Sequence, residues 1–192
     1  IFSSMSAYII SRKKNKYTRF AQFMITTPML IPFQTIMITL LKVMNVVNLS
    51  GSKVGLGIQY WGFGIPMAAF IYGNFMSTIP KELDESAFID GAGTFRTYRS
   101  IIFPLLKSVT FTVIVIDVMW IWNDFLLPLL MVNSSNETKT LVLSAYTFVG
   151  QFNTQWHYAM AAMVLAVLPS IIIFIFLQKY IVEGVVAGAV KG

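Results

Sequence analysis

Four long apolar stretches, separated by shorter polar segments, dominate the chain. They are residues 20–41, 58–78, 108–132 and 158–178. An α-helix of about 20 apolar residues, rising about 1.5 Å per residue, crosses the roughly 30 Å of hydrocarbon in a bilayer. Residues 1–11 are also uncharged and are typical of the last turns of a further helix. The pattern predicts an all-α, polytopic membrane protein with about four full spans and part of another.

Two of these stretches contain residues that are unusual inside a membrane helix. Pro28 and Pro32 interrupt the first stretch, and because proline lacks an N–H group they predict a kink there. Asp117 and Asp124 lie in the third stretch, seven residues apart, which predicts that they share one helix face. Acids inside a membrane are costly, so these two indicate a pore-lining or packing role.

The composition supports a membrane protein and narrows its chemistry. Of the 192 residues, 56% are hydrophobic and 11% are charged, whereas a soluble domain carries roughly 25% charged residues. The net charge of +6 could indicate nucleic-acid binding, but the basic residues cluster at the ends of apolar stretches, as topology signals do. Because the chain has no cysteine and His157 is its one histidine, the sequence predicts no disulfide, no metal site and no catalytic residue.

The distribution of Lys and Arg predicts which segments face the cytoplasm. Residues 12–19 hold five basic residues and no acid, which is typical of a short cytoplasmic loop. In the topology that follows, eleven basic residues lie inside and three lie outside. The inner ones are Arg12, Lys13, Lys14, Lys16, Arg19, Lys81, Arg96, Arg99, Lys107, Lys179 and Lys191, and the outer ones are Lys42, Lys53 and Lys139. We therefore expect the C-terminus and the segment between the second and third spans to be cytoplasmic.

That segment, residues 82–104, carries half of the acids of the chain. Four of the eight lie in it, namely Glu82, Asp84, Glu85 and Asp90. Acids early in a helix interact favourably with the helix dipole, so the sequence predicts a short helix here. Two interpretations fit such a helix. It is either a connector that lies on the membrane surface or a docking helix that enters a groove of a soluble partner.

Local sequence also predicts where this helix begins and ends. Ser77 or Thr78 is a suitable N-terminal cap, because either hydroxyl can accept a free backbone N–H. Gly91 and Gly93 can end the helix by adopting a positive φ. The expected element therefore lies between these two pairs of residues.

The spacing within the segment resembles a known motif. Glu85-Ser-Ala-Phe-Ile-Asp-Gly91, nine further residues and Ile101-Ile-Phe-Pro104 match the EAA loop of binding-protein-dependent ABC importer permeases without a gap. Ser86 and Phe103 stand where the family pattern has Ala and Leu. In that family the loop forms a coupling helix that sits in a cleft of an ATPase subunit. The candidate coupling residues are Glu85, Ser86, Ala87, Phe88, Asp90, Gly91, Ile101 and Pro104, with Phe88 our candidate for an apolar plug.

The resemblance extends over nearly the whole chain. Ile31-Pro-Phe-Gln34, Trp122-Asn-Asp-Phe-Leu126 and the tail from Gln178 are similar to the sugar-importer branch. The tail is also similar to that of the second permease subunit of maltose-type systems. The resemblance implies the fold of a type I ABC importer transmembrane domain, as a single domain over residues 1–192. Family members have six spans, so we expect the chain to be truncated at its N-terminus.

The resemblance also implies a function and partners. The chain is expected to be a permease subunit of an ATP-driven importer that moves an oligosaccharide or related sugar across the cytoplasmic membrane of a prokaryote. Its expected partners are a homologous permease, two ATPase subunits and an extracytoplasmic sugar-binding protein. The chain carries no Gly-x4-Gly-Lys-Ser/Thr phosphate loop, so we expect ATP and Mg²⁺ on the ATPase subunits, no cofactor on this chain and no enzymatic activity in it.

Two further groups of residues are candidates for substrate or partner contacts. Aromatic rings stack on sugar faces, and amides and carboxylates bind hydroxyls, so a translocation path is conceivable along Asp117, Trp120, Asn123 and Asp124. Trp122-Asn123-Asp124 is, however, a motif found across the family, which favours a structural role. In the family, residues equivalent to 133–157 meet the binding protein. The candidates there are Gln151, Phe152, Asn153 and Trp156.

Other functions fit the same sequence less well. An importer for another solute, such as a polyamine or glycerol phosphate, would share the coupling motif. An integral-membrane enzyme is disfavoured by the single histidine, the missing cysteine and the lack of a clustered acid–base group beyond two aspartates. A structural membrane scaffold is a third alternative. Co-purification of an ATPase whose activity needs this subunit would distinguish a transport permease from an enzyme or a scaffold.

Overall fold

The computed structural model describes residues 1–133, 137–149 and 155–189, and every regular element in these ranges is helical. The helices are α1 (Phe2–Arg12), α2 (Lys16–Thr26), α3 (Phe33–Val46), α4 (Lys53–Met76), α5 (Glu82–Ile89), α6 (Thr94–Thr97), α7 (Phe103–Leu105), α8 (Lys107–Asn123), α9 (Leu126–Val132), α10 (Leu141–Ala145) and α11 (Trp156–Ala189). Short 3₁₀ turns cover Thr27–Leu30 and Tyr146–Phe148, and a π turn covers Tyr98–Ile102. The prediction of an all-α protein is confirmed.

Two helices of the described residues, α4 and α11, are each long and apolar enough to cross a membrane. The number rises to four if each of two broken pairs counts as one span: α2 and its 3₁₀ turn with α3, and α6 to α7 with α8. The predicted spans 58–78 and 158–178 lie largely within α4 and α11. In the most apolar part of α11 only 11% of the residues are buried inside the protein, as expected for a helix that faces lipid or another subunit.

The other two predicted spans are interrupted. Pro28 lies in the 3₁₀ turn and Pro32 immediately precedes α3, so the prolines separate two helices rather than kink one. The predicted span 108–132 breaks between Asn123, the last residue of α8, and α9. Asp124 therefore lies beyond α8, and the expectation that it shares one helix face with Asp117 is wrong. The reason is local, because the Asp124 carboxylate accepts a backbone N–H at the start of α9.

The chain divides into two compact units, of which the first comprises residues 1–30, 63–114 and those from 178 onward. Its buried core joins α1 and the second half of α4 to the chain between Tyr98 and α8. The core residues are Ala7, Tyr8, Ala68, Tyr72, Met76, Ile79, Tyr98, Ile102, Leu106, Val109 and Val113. This core supports the segment 82–104 at both of its ends.

The second unit comprises residues 31–62 and 115–177. Its loop between α3 and α4 is held by a hydrogen bond of 2.8 Å from the Gly51 N–H to the Met131 carbonyl in α9. Gly55, in the first turn of α4, meets this loop closely. A Cβ atom there would lie 2.1 Å from the carbonyl oxygen of Leu49, so the position accepts only glycine without a backbone shift.

Candidate functional site

The segment 82–104 begins with α5, whose first turn is acidic. Glu82, Asp84 and Glu85 lie in that turn, where the helix dipole stabilises negative charge. The predicted cap by Ser77 or Thr78 is wrong, since both hydroxyls donate to carbonyl groups in the last turns of α4. No side chain caps the start of α5. The dipole interaction with these acids is therefore the stabilising feature at this end.

The other end of α5 is a glycine-terminated turn, as predicted for Gly91. Gly91 has a φ of 77°, in the left-handed region that favours glycine. Its N–H donates to the Phe88 carbonyl at 3.1 Å, and the Ala92 N–H donates to the Ala87 carbonyl at 2.9 Å. Together these bonds form a Schellman motif. Gly93 does not share the role, because its φ is −76° and it precedes α6 instead.

The two faces of α5 have different surroundings. Asp84 and Ala87 are buried, with 5% and 4% of their surface exposed. The three large apolar side chains outside this buried face are exposed, with values of 36% for Leu83, 48% for Phe88 and 86% for Ile89. We call these three residues the apolar surface of α5. The candidates Glu85, Ser86 and Asp90 are exposed as well.

Sequence reasoning singled out Phe88 but missed Ile89 as an exposed apolar residue of the segment. Phe95, at 61% exposure, was missed in the same way. The signal that could have identified both was available, because each is a large apolar residue in a polar stretch outside any predicted span. Ala87, by contrast, packs inward, so the structure separates it from the exposed candidates.

The second half of the segment is attached to the core. Ile101 is partly buried against the core of the first unit and Ile102 is fully buried. Pro104 lies just after the π turn, in which the Phe103 N–H reaches back to the Tyr98 carbonyl. Proline offers no N–H to continue a regular helical ladder, which accounts for the irregular turn before it. Ile101 thus lies against the core, whereas Pro104 is exposed.

A buried ion pair that sequence reasoning missed connects α5 to α1. Arg12 Nε lies 2.9 Å from Asp84 Oδ2, and only 12% and 7% of the two side chains are accessible. The Tyr8 hydroxyl donates to Asp84 Oδ1. The sequence predicts Arg12 in a short cytoplasmic loop and Asp84 among the acids at the start of a short helix. The structure instead places Arg12 in the last turn of α1 and buries Asp84.

A second polar contact joins α1 to the later half of the segment. The hydroxyls of Ser4 and Tyr98 share a buried hydrogen bond of 2.7 Å, and the rings of Tyr8 and Tyr98 lie 5.5 Å apart. Burial raises the pKa of the Tyr98 phenol, although the hydrogen bond with Ser4 acts in the opposite direction. The phenol therefore stays neutral and serves as a hydrogen-bonding group.

In the second unit, the structure brings two of the translocation-path candidates together. The Tyr60 hydroxyl donates to Asp124 Oδ2 at 2.9 Å, and the Leu126 N–H donates to Asp124 Oδ1 at 3.1 Å. The Trp120 ring contacts the Tyr60 ring edge-on, with centroids 5.6 Å apart. Asp117 is half-buried and is not part of this group of contacts. Both Asp124 oxygens are therefore engaged within the protein.

The neighbouring Trp122 and Asn123 are also hydrogen-bonded within this unit. Trp122 Nε1 donates to the Ala166 carbonyl in α11 at 2.9 Å. Asn123 Nδ2 donates to the Met119 carbonyl at 2.7 Å, and the Ser170 hydroxyl donates to Asn123 Oδ1 at 3.3 Å. The Trp122-Asn123-Asp124 motif thus attaches the end of α8 to α4 on one side and α11 on the other.

The segment 133–157 contains the candidates for contact with a binding protein. Gln151, Phe152 and Asn153 lie outside the described residues. Trp156 is the first residue of α11 and is 64% exposed. Within the described residues, no group of three or more His, Cys, Asp or Glu side chains is placed to hold a metal ion.

The helices that can span a membrane and the match of the chain to a protein family together define its class. Residues 1–186 match the family described as the inner membrane component of binding-protein-dependent transport systems. The chain belongs to this family and is a permease component of a binding-protein-dependent ABC importer, embedded in the membrane.

Three relatives show a similarity to permeases named for sugar transport. The chain is 42% identical over 191 residues to the "Probable starch degradation products transport system permease protein" of Thermoanaerobacterium thermosulfurigenes. It is 35% identical to the multiple sugar-binding transport system permease protein of Streptococcus mutans and 34% identical to the melibiose/raffinose/stachyose import permease protein of Bacillus subtilis. Each match covers 100% of this chain and 69% to 70% of the relative.

A solved structure supports the fold. The chain is similar, with a TM-score of 0.74 and 20% identity, to a chain of a bacterial ABC transporter involved in the import of the acidic polysaccharide alginate. The match covers 94% of this chain and 69% of the other. The arrangement of helices is therefore that of an ABC importer permease.

Proposed function

We propose that this chain is the permease subunit through which an importer moves an oligosaccharide or related sugar across the cytoplasmic membrane. The observation that carries this proposal is the identity of 34% to 42%, over the whole chain, to three permeases whose names specify sugars or starch products. Importers for polyamines or glycerol phosphate are the alternative.

We further propose that the segment 82–104 couples the permease to an ATPase subunit. A short helix that buries one face in its own unit and exposes large apolar side chains around the rest of its surface is suited to a groove in a partner. In α5, Asp84 and Ala87 form the buried face, and Leu83, Phe88 and Ile89 form the apolar surface. Glu85, Ser86 and Asp90 would supply the polar contacts around it.

The proposed complex contains a homologous permease, two ATPase subunits and an extracytoplasmic sugar-binding protein. ATP and Mg²⁺ would be held by the ATPase subunits, and this chain would hydrolyse nothing itself. The predicted distribution of eleven basic residues inside and three outside supports a cytoplasmic location for the segment 82–104 and the tail. This orientation places α5 on the side of the membrane where ATP is available.

Of the residues considered for substrate contact, Asp117 is half-buried and Trp120, whose ring packs on Tyr60, is 43% exposed, so both stay in the proposed path. Asn123 and Asp124 already use their polar atoms in hydrogen bonds inside the second unit, which supports a structural role for them. Trp156, exposed at the start of α11, would contact the binding protein together with Gln151, Phe152 and Asn153.

Transport by the reconstituted importer tests the function. The complete complex is placed in proteoliposomes with its binding protein, and uptake of labelled raffinose and maltotriose is measured with spermidine and glycerol 3-phosphate as competitors. We expect uptake of a sugar that needs ATP and this subunit and is insensitive to both competitors. Uptake of spermidine or glycerol 3-phosphate, with none of any sugar, would overturn the proposed substrate class.

A further inference from the structure

Three polar residues of α1 lie on one stripe, and each contacts the coupling segment. Ser4, Tyr8 and Arg12 are spaced by four residues, which places them one above another on the same helix face. Arg12 and Tyr8 both bind the Asp84 carboxylate of α5, while Ser4 binds Tyr98. We call Ser4, Tyr8 and Arg12 the α1 stripe. It touches the segment 82–104 at two points that are 14 residues apart in sequence.

Arg12 also reaches a third element. Its Nη1 donates to the carbonyl of Met76, the last residue of α4, at 3.4 Å and to the carbonyl of Ile79, in the turn that follows, at 3.1 Å. Carbonyl groups at this end of a helix have no partner in the helix and carry the negative end of its dipole, so a guanidinium there is favourable. One side chain therefore joins α1, the end of α4 and the start of α5.

Because Arg12 and Asp84 are largely buried, each depends on the other as its charged partner. Two opposite charges that are largely removed from water must stay paired, because removing one partner leaves the other buried and uncompensated. Asp84 cannot move away from α1 without separating this pair and losing the Tyr8 hydrogen bond. α5 is thus held to α1 more tightly than an exposed surface helix would be.

We propose that the α1 stripe clamps the coupling segment to α1, so that a displacement of α5 is transmitted to α1 rather than absorbed in the loop. This inference rests on the proposed function, since it assumes that an ATPase subunit moves α5. Tyr8, Arg12 and Asp84 are positioning residues in this account, because they act through α5 and touch neither the sugar nor ATP.

The test compares transport with ATP hydrolysis in the complete reconstituted importer. The variants are Tyr8→Phe, Asp84→Asn and the double variant Arg12→Gln/Asp84→Asn, which leaves no lone buried charge. Three quantities are measured: the amount of ATPase subunit that co-purifies, the rate of ATP hydrolysis and the rate of sugar uptake. We expect the co-purified ATPase to be unchanged and the ratio of sugar transported to ATP hydrolysed to fall about fivefold for Tyr8→Phe and about tenfold for the others.

Exposed residues next to the clamp supply matched controls. Lys13→Gln removes the base that follows Arg12, and Lys14→Gln removes the next one. Both should keep the wild-type ratio of sugar to ATP. If the charge variants do not assemble, the mild Tyr8→Phe variant decides the question.

Two results would overturn the clamp. One is a wild-type ratio of sugar to ATP with both rates unchanged, and the other is the same ratio with uptake and hydrolysis lowered in proportion, which is what a purely structural role predicts. Failure of the proposed function itself looks different, because then the unmodified complex would show no ATP-dependent uptake of sugar at all.

Discussion

The backbone conformation of one glycine ends the helix that we propose as the docking element. Gly91 has a φ of 77°, and the N–H groups of Gly91 and Ala92 bond the last free carbonyls of α5. This turn fixes the length of α5 and thereby keeps Phe88 and Ile89 within its last turn. Residues with a Cβ atom are sterically disfavoured in this left-handed region of φ and ψ.

Replacing Gly91 by alanine should weaken the last turn of α5. The left-handed conformation costs a residue with a Cβ atom about 1–2 kcal/mol, so amide hydrogen exchange of α5 should become about tenfold faster in the assembled complex. Gly93→Ala is the control, because Gly93 has a negative φ and open space around it, and alanine there should slow exchange or leave it unchanged. Equal effects of the two substitutions would contradict the Schellman turn.

At the scale of the helices, the break between α8 and α9 is the feature that sequence analysis did not anticipate. The sequence predicts Asp124 as part of the continuous span 108–132, yet Asp124 binds the Leu126 N–H at the start of α9 and the Tyr60 hydroxyl of α4. An aspartate that bonds a backbone N–H two residues on offers the chain an alternative to continuing the helix. The motif Trp122-Asn123-Asp124 is therefore expected to serve packing rather than sugar binding.

Removal of the Tyr60 hydroxyl tests that interpretation. Tyr60→Phe leaves one Asp124 oxygen without its donor, which should cost about 1–3 kcal/mol and lower the thermal unfolding midpoint of the purified complex. The KM for sugar should stay within a factor of two. Tyr158→Phe, in which a half-exposed ring loses its hydroxyl, should change neither quantity. A large change in KM with no loss of stability would place Tyr60 and Asp124 in the translocation path instead.

At the scale of the whole molecule, the features that could be predicted from the sequence are those that depend on local composition and on the spacing of apolar residues. The helical class, the four apolar stretches and the terminating role of Gly91 follow from hydrophobic pattern and glycine geometry, which act over a few residues. The ion pair of Arg12 with Asp84 did not follow, because its members are 72 residues apart and each has a plausible solvated role in its own neighbourhood. The predicted cap failed for a similar reason, since Ser77 and Thr78 found acceptors in the helix before them.

The division into two compact units was likewise absent from the sequence prediction. Both units are assembled from separated parts of the chain, and α4 and α8 each contribute residues to both. Nothing in the local pattern of a continuous apolar helix marks where one unit gives way to the next. Tertiary packing decides that boundary, and packing between distant residues is what a single sequence reveals least.

The central claim is that α5 docks on an ATPase subunit through its apolar surface, and site-specific cross-linking tests it most directly. The natural chain has no cysteine, so Phe88→Cys, Ile89→Cys and Ala87→Cys each create one labelling site for a photoactivatable maleimide. We expect the exposed positions 88 and 89 to cross-link to the ATPase subunit, with a yield that changes when ATP is added. The buried position 87 should give little product. The absence of any cross-link from residues 83–92 in an assembled, transport-active complex would contradict the account.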